Sequence, residues 1–420
     1  MANYPNAETI NRQVLDNGII LLTYQNPHAQ TVVVEGGLWA GAVNETRQNA
    51  GIANMAASML MRGTQSRSFE EIYDALESVG ASLGYGSGYE ITELSAESLP
   101  EDFDQLLDLL ADTLRNPTFP EDQVEQVRAE LMTRLAMRRN DTRSMAGLNF
   151  RATLYPDHPY GRSVTGYEDT VPNITREDLQ QFHAKTFAPN GMILTVVSAL
   201  SAEDIRAKVE NALGDWRNED YTRSAGVSSA DRPAETKRVH HEMSDKSQSD
   251  IMLGLPGPLR SADDYMAAKV ANTILGVFGM MGRLGKNVRE KQGLAYYARS
   301  VLQGSIGPTP WYVSTGVAPD KVEQAISSIQ DEIRRIQEEP VGADELADTK
   351  AYLTGSLPLS METTGGQADI IYNMELFDLD RDYLMTYTDV INGISAEQVQ
   401  AAAQKYFSAD EIVISVAGPK

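Results

Sequence analysis

The residue types that most often carry catalysis are sparse in this chain. It contains no Cys, which excludes disulfides, thiolate nucleophiles and Cys-ligated zinc. No two of its His residues are four positions apart, the spacing that puts two imidazoles on one helix face. Any metal chemistry would therefore rest on carboxylates and scattered imidazoles, which belong to His28, His158, His183, His240 and His241.

Composition narrows the class of protein further. The 420 residues include 36 Lys and Arg against 59 Asp and Glu, which gives a formal charge of −23. Such a charge repels phosphate backbones and anionic lipid, so the sequence predicts neither a nucleic-acid partner nor a membrane partner. The opening residues lack the basic and apolar segments of a signal peptide, and we expect a cytoplasmic protein. A chain from which a signal had been removed would look the same.

The elements that must position any site come in two copies. Residues 174–197 and 394–417 match at a constant offset of 220. Each copy opens with a hydroxyl residue followed three positions later by an acid or amide, Thr175 with Asp178 and Ser395 with Gln398, which is a capping-box pattern. A helix and a β-branched strand follow in both. The sequence therefore predicts two tandem copies of one α/β unit.

The repeat predicts a two-domain α+β protein. Residues 217–238 are polar, rich in Ser and Ala and without periodicity, as in a linker. The expected division is an N-terminal domain over 1–216, this linker, and a homologous C-terminal domain over 239–420. Strands joined by short turns, with helices before and after them, favour in each domain a mostly antiparallel sheet with helices packed on one face. The sequence has no alternating βαβ pattern with a Gly-rich phosphate loop, so it does not indicate a dinucleotide-binding fold.

Two helices of the first half are central to the site. Residues 51–61 place apolar side chains on one helical face. A longer amphipathic helix is predicted over 121–139, with a buried stripe formed by Val124, Val127, Leu131 and Leu135.

Nearly the whole chain resembles the insulinase/pitrilysin zinc peptidases, most closely the short two-domain members, such as mitochondrial processing peptidase, that pair into a clamshell. The resemblance rests on LDNGIILL, on the helix at 51–61 followed by RGT, and on LADTLRNPTF. It also rests on HPYGRSVTGYEDTVPNIT with FAPNGM, and on GRLGKNVREKQGLAYY. It implies a chain that forms one half of a clamshell.

The resemblance places the zinc motif of active members, His-x-x-Glu-His, on the helix at 51–61. Its three positions here hold Asn54, Ala57 and Ser58. The third zinc ligand of the family, a Glu on a later helix, matches Glu130. An amide, a methyl group and a hydroxyl are poor substitutes for two imidazoles and a general base. We therefore expect no metal in this chain, no hydrolysis by the chain alone, and ordinary structural roles for these four residues.

The second half differs, because the resemblance implies a preserved pair of donors. In active members this half contributes an Arg and a Tyr seven residues apart, which bind the substrate backbone and stabilise the oxyanion. Arg289 and Tyr296 match in type and spacing. Gly293 is expected to end the helix in a left-handed conformation, and the following strand turns Tyr296 and Tyr297 to opposite faces. Tyr297 competes for the Tyr role, and an Arg paired with a carboxylate beside a packed Tyr is the alternative.

The resemblance also implies an edge strand near the metal helix that receives substrate by strand addition. The stretch 81–88 matches it, and we assign substrate binding to Ala81, Ser82, Leu83, Gly84 and Tyr85. An ordinary Gly-rich hairpin is the equal alternative. Residues 276–282 resemble a shortened form of a Gly-rich stretch of non-catalytic processing-peptidase subunits, although a flexible turn is the favoured interpretation.

These observations predict the zinc-less subunit of a heterodimeric peptidase. Its partner would be a zinc-bearing subunit of the same family, and its substrates would be peptides. The alternative is an inactive scaffold similar to the core subunits of a respiratory complex. An autonomous hydrolase of another mechanism has little support, since the chain has no Cys and no pair of His residues at metal-ligand spacing.

Overall fold

The computed structural model describes residues 4–221, 223, 227–277 and 282–420. They form two units, each built around one β-sheet, and confirm the two-part α+β architecture. The units are assembled from discontinuous segments. The first comprises Met1–Leu135, Ser163–Ala225 and Pro358–Met385, and the second comprises Ala136–Arg162, Gly226–Leu357 and Thr386–Lys420.

Six strands form the sheet of the first unit. They are β1 (Ile10–Val14), β2 (Ile20–Gln25), β3 (Val32–Leu38), β4 (Ser82–Ser87), β5 (Thr92–Ser98) and β6 (Ile193–Ser198). Their order is β1-β2-β6-β3-β5-β4, so β4 lies at one edge. The β2–β6 pair is parallel, and the other four pairs are antiparallel.

The helices of the first half, except α5, cover mainly one face of this sheet. They are α1 (Ile52–Met59), α2 (Phe69–Glu77), α3 (Phe103–Arg115), α4 (Glu121–Arg139), α5 (Thr142–Leu154), α6 (Arg176–Thr186) and α7 (Ala202–Leu213). All of them except α5 contribute to one apolar core with alternate sheet residues such as Val34 and Val196. The predicted stripe of α4 lies in this core. Burial of such continuous apolar surface holds the helical layer on the sheet.

The sheet of the second unit repeats the first without a counterpart of β1. Its strands are β7 (Lys237–Glu242), β8 (Ser249–Pro256), β9 (Ala295–Leu302), β10 (Pro310–Val317) and β11 (Val413–Gly418). Their order is β7-β11-β8-β10-β9, so β9 holds the edge position that β4 holds in the first sheet. The helices of the second half are α8 (Tyr265–Asn272), α9 (Val322–Glu338), α10 (Ala343–Ser360), α11 (Thr364–Leu376), α12 (Tyr383–Gly393) and α13 (Ala396–Tyr406).

The predicted repeat is confirmed in detail. Helices α6 and α13 begin and end at positions 220 residues apart, as do the strands β6 and β11 that follow them. Both capping boxes are formed. Thr175 Oγ1 accepts from the backbone N–H of Asp178, and Ser395 Oγ accepts from that of Gln398, while each partner side chain accepts from the cap backbone N–H.

Two helices do not lie with the sheet of their own half. Helix α5, from the first half of the chain, packs against β7, β8 and β11 of the second unit. Helix α11, from the second half, packs against β2, β3 and β6 of the first unit. The expected division into 1–216, 217–238 and 239–420 assigns each helix to its own half, and the structure departs from it at these two segments.

Candidate functional site

Helix α1 carries the positions that the resemblance assigns to the zinc motif. Asn54 and Ser58 are four residues apart and share a half-buried face, whereas Ala57 is buried. Ser58 Oγ donates to the backbone oxygen of Asn54 at 2.9 Å. The Asn54 Oδ1 atom is buried and accepts no hydrogen bond from the residues described. This face of α1 therefore offers one amide, one methyl group and a hydroxyl that is turned back onto its own helix.

Glu130, on α4, is bound to a guanidinium. Both of its carboxylate oxygens accept from Arg62 Nη2 at 3.0 Å. Arg62 lies three residues after the end of α1, and its guanidinium also lies over the Phe69 ring at 5.0 Å. The position that matches the third zinc ligand is thus neutralised by a cation fixed by both an ion pair and an aromatic face.

These residues do not fit zinc. Protein zinc sites use imidazole, thiolate or carboxylate ligands, and here the one carboxylate is held by Arg62. In the part of the chain that the structure describes, no group of three or more His, Asp or Glu is placed to hold a metal ion. A cation at Glu130 would have to displace a guanidinium. We derive no catalytic step through a metal bound to this chain.

Strand β4, which includes four of the five residues assigned to substrate binding, lies beside α1 at the sheet edge. Ala81 precedes it, and the strand pairs antiparallel with β5 through register partners such as Gly84 and Ser95. Tyr85 points to the helical side, where its hydroxyl lies 2.7 Å from Thr113 Oγ1. Open space lies above Gly84 and Gly86 on the opposite face. An extended chain can add to such an edge, which carries few side chains on its outer face.

Arg289 and Tyr296 lie together in the second unit. Residues Gly285–Lys291 form a wide, π-type helical segment that carries Arg289. Gly293 ends it with φ +61°, as predicted, and the backbone N–H of Gly293 donates to the oxygen of Arg289 at 3.1 Å. The Arg289 guanidinium lies 5.1 Å from the centre of the Tyr296 ring. The Tyr296 side chain is 83% exposed, so its hydroxyl is open to another molecule.

Tyr297 faces the other way and is held in place. Its hydroxyl donates to Asp250 Oδ1 at 2.6 Å and accepts from Arg143 Nε at 2.9 Å. The Arg143 guanidinium also lies 4.1 Å from the Tyr297 ring centre. Burial, followed by the hydrogen bond to Asp250 and its negative charge, raises the pKa of Tyr297 to about 12. Tyr297 is therefore an anchored side chain, and Tyr296 is the free phenol.

Asp250, on β8, is the centre of this anchor and is 2% exposed. Its second oxygen, Oδ2, accepts from Thr142 Oγ1 at 2.5 Å and from Gln248 Nε2 at 3.0 Å. Thr142 and Arg143 begin α5, the helix that comes from the first half of the chain. The start of β9, which carries Tyr296, is thus tied to β8 and α5 through one buried carboxylate.

Three features of these regions were not identified from the sequence. The first is Glu45, whose carboxylate accepts from the backbone N–H groups of Gly51 and Ala53 at 3.1 and 2.8 Å and so holds the start of α1. The others are the Arg62–Glu130 pair and the Asp250 network, which join segments far apart in sequence.

Within 276–282, residues 278–281 lie outside the described residues. No helix among the described residues is long and apolar enough to cross a membrane.

Comparison with known proteins places the chain in a family. Residues 21–168 match the family model described as insulinase (peptidase family M16), and residues 173–353 match that described as the peptidase M16 inactive domain. The chain therefore belongs to the insulinase family of peptidases, M16.

Individual relatives agree with this assignment. An uncharacterized zinc protease of Streptomyces coelicolor is 27% identical over 376 residues, covering 88% of this chain and 81% of the relative. A crystal structure of a peptidase M16 inactive domain from Pseudomonas fluorescens is 25% identical, with a TM-score of 0.92 and 98% of both chains covered. A chain of the Candida albicans complex III dimer has the same fold, with a TM-score of 0.80 at 17% identity over 97% of this chain and 95% of that chain.

Proposed function

We propose that this chain is the zinc-less subunit of a heterodimeric M16 peptidase and supplies Arg289 and Tyr296 to the zinc site of its partner. The observation that carries the proposal is the pairing of this guanidinium with a free phenol at the start of an edge strand. The motif positions on α1 and Glu130, in contrast, offer no ligand set. If the zinc site and the oxyanion donors had lost their functions together, Arg289 and Tyr296 would not be expected to keep this geometry.

The chemistry of the pair follows from its donors. When peptide hydrolysis begins, the scissile carbonyl oxygen develops negative charge, and a guanidinium and a phenol both donate hydrogen bonds to it. Zinc in the partner would polarise the same carbonyl and activate water. The Arg289 guanidinium presents its N–H donors as a planar fork. Tyr296 donates from a side chain whose backbone is fixed by the anchored Tyr297 next to it.

Substrate peptides would also contact β4. The edge of this strand has the backbone groups needed for strand addition, and we assign Ala81–Tyr85 to that contact. Main-chain pairing of this kind supplies affinity, while alternate side chains supply selectivity.

Reconstitution tests the proposal. The chain is mixed with an M16 chain that carries His-x-x-Glu-His, and cleavage of a quenched fluorescent peptide is followed. We expect neither chain alone to cleave and the mixture to do so. Arg289→Ala or Tyr296→Phe should lower kcat about 100-fold or more, since one lost oxyanion donor costs about 2.7–4 kcal/mol. Tyr73→Phe, on an exposed tyrosine of α2, is the matched control and should leave kcat unchanged.

The scaffold alternative predicts a different result. If the mixture cleaves equally well after Arg289→Ala combined with Tyr296→Phe, the pair has no catalytic share. An inactive scaffold role, as suggested by the likeness in fold to a chain of complex III, would then be favoured.

A further inference from the structure

A β-bulge lies at the start of β9, at the two adjacent tyrosines. Strand β9 pairs with β10 in one regular register as far as Ala298, where the register shifts by one residue. Across this shift, Tyr296 and Tyr297 together are opposite a single residue of β10, Gly316. An arrangement of two residues against one is a β-bulge, which bends the strand and changes the direction of a side chain. The free phenol and the anchored phenol are therefore the two residues of one bulge.

Backbone pairing alone does not explain this bulge. Beyond it the described strands form one register pair, Ala295 with Val317. A regular continuation would give up that pair and gain two. Tyr297 would then be opposite Gly316. Tyr296 would be opposite Val317 and on the same face as this buried residue, since cross-strand partners share a face. Contacts other than backbone pairing must therefore hold the bulge and keep Tyr296 exposed.

A buried contact that crosses three strands supplies the hold. Gly316 of β10 is directly opposite Asp250 of β8 on its other side. A Cβ at Gly316 would collide with Asp250 Oδ1 and with Gln248 Nε2. Because glycine has no side chain, the carboxylate lies in the space above it and there accepts the hydroxyl of Tyr297 from β9. The absence of a side chain at Gly316 thus lets Asp250 reach across β10 to the bulge.

The backbone of the bulge is held as well. Thr315 Oγ1, which is buried, donates to the backbone oxygen of Tyr297 at 2.7 Å. Tyr297 is therefore fixed at its backbone oxygen by Thr315, at its hydroxyl by Asp250 and at its ring by the Arg143 guanidinium. The hydroxyl of Tyr296 makes no hydrogen bond to the described residues, so the direction of its side chain follows from the backbone that Tyr297 holds.

We infer that Asp250 and Gly316 are positioning residues for Tyr296, because they hold the bulge that directs its phenol toward the substrate carbonyl. This deepens the proposed function and rests on its assignment of Tyr296 as an oxyanion donor. Neither residue touches the reacting atoms. Asp250 acts through Tyr297, and Gly316 acts by leaving room for the carboxylate. A displacement of about 1 Å in a catalytic group can lower a rate about 100-fold, so the position of the bulge matters for catalysis.

The first measurement uses the full chain alone and observes the side chain itself. Tyr296 is replaced by 3-fluorotyrosine, whose fluorine-19 resonance depends on the surroundings of the ring, including the guanidinium of Arg289. We expect one resonance from this chain. Gly316→Ala displaces the Asp250 carboxylate and should move the resonance or add a second one. Tyr297→Phe, which removes the hydroxyl held by Asp250, should do the same.

The matched control is Gly355→Ala on α10. No atom lies within 4 Å of the methyl group that it adds, so the resonance should stay where it is. Circular dichroism of each variant verifies that the fold is kept.

The second measurement uses the mixture with the zinc-bearing chain. Gly316→Ala should lower kcat and kcat/KM about tenfold each, because the displaced donor acts on the transition state. In a Tyr296→Phe background the same substitution should lower kcat no further, since its effect is carried by the missing hydroxyl. A purely structural role would give the same loss in both backgrounds.

The two proposals fail in different ways. The positioning inference is overturned if the resonance is unmoved in both Gly316→Ala and Tyr297→Phe, if Gly316→Ala leaves kcat unchanged, or if its effect is equal with and without the Tyr296 hydroxyl. The proposed function fails instead if Tyr296→Phe itself leaves kcat unchanged. The resonance needs no partner, so it tests the hold on the bulge even when no cleavage is observed.

Discussion

The two edge strands β4 and β9 occupy the same place in their sheets but are built differently. At β9 a buried carboxylate, a guanidinium and a phenol from three elements fix the strand start, and the neighbouring Tyr296 is left free. At β4 the outer face is glycine and open space, and Tyr85 is held from the helical side. One edge holds a side chain in a set direction, whereas the other leaves room for a chain to be added.

The two halves of the chain have kept their polar groups in different places. Beside β4, the motif positions of α1 are an amide, a methyl group and a hydroxyl, and Glu130 is bound by Arg62. At β9, the equivalent edge strand, the network centred on the buried Asp250 fixes the backbone and leaves the phenol of Tyr296 exposed. A duplicated sheet can thus keep its topology while its two edges diverge in chemistry.

The largest effect is expected from removing the centre of the β9 anchor. Asp250→Ala leaves the donors of Thr142, Tyr297 and Gln248 without their acceptor in a buried site. The free energy of unfolding should fall by about 3 kcal/mol. Urea denaturation followed by circular dichroism measures it. Asp108→Ala, which removes an exposed acid paired with Arg67, is the control and should cost less than 1 kcal/mol. An equal cost for both variants would show that the anchor is no stronger than a surface pair.

A smaller effect is expected on zinc binding at the motif positions of α1. Asn54→His combined with Ser58→His restores two imidazoles at i and i+4, with Glu130 at the position that matches the third ligand. Zinc affinity should remain weak while Arg62 occupies the carboxylate, and adding Arg62→Ala should raise it about tenfold, as for other groups that act on a ligand from outside the metal's own shell. Isothermal titration with zinc measures this. The interpretation of Arg62 is wrong if the affinity is the same with and without it.

The smallest effect distinguishes the adjacent tyrosines. Tyr297→Phe should cost about 1 kcal/mol of unfolding free energy, whereas Tyr296→Phe should change it by less than 0.5 kcal/mol, because of the two hydroxyls only that of Tyr297 has hydrogen-bond partners in the described chain.

The same pair gives a pH dependence with a definite sign. The pKa of Tyr297 is about 12 in the folded chain, above its ordinary value of about 10. Between these values the folded state holds the proton and the unfolded state loses it, so stability falls as pH rises through this window. Urea midpoints from pH 9 to 11.5 should therefore decline less steeply in Tyr297→Phe than in the unchanged protein. Equal slopes would contradict the shift.

Local features of the fold could be predicted from the sequence. The capping boxes at Thr175 and Ser395, the left-handed Gly293 and the opposite faces of Tyr296 and Tyr297 depend on neighbours within a few residues. Their physical causes are therefore visible in short stretches of sequence.

The contacts that decide the chemistry are long-range. Arg143 meets Tyr297 across 154 residues, and Arg62 meets Glu130 across 68. The first contact also requires α5 to lie on the sheet of the other half, which no local pattern indicates. Strand alternation similarly conceals the proximity of the Glu35, Glu93 and Asp369 carboxylates, which depends on sheet register and on the placement of α11.

The crossed placement of α5 and α11 has a consequence for synthesis on the ribosome. Until residues near 376 have emerged, Val33, Ile193 and Val197 of the first sheet have no α11 to cover them, so the nascent N-terminal half must carry an unfinished apolar surface. Neither half can mature ahead of the other, and a break in the chain between them would leave two incomplete products instead of two working modules.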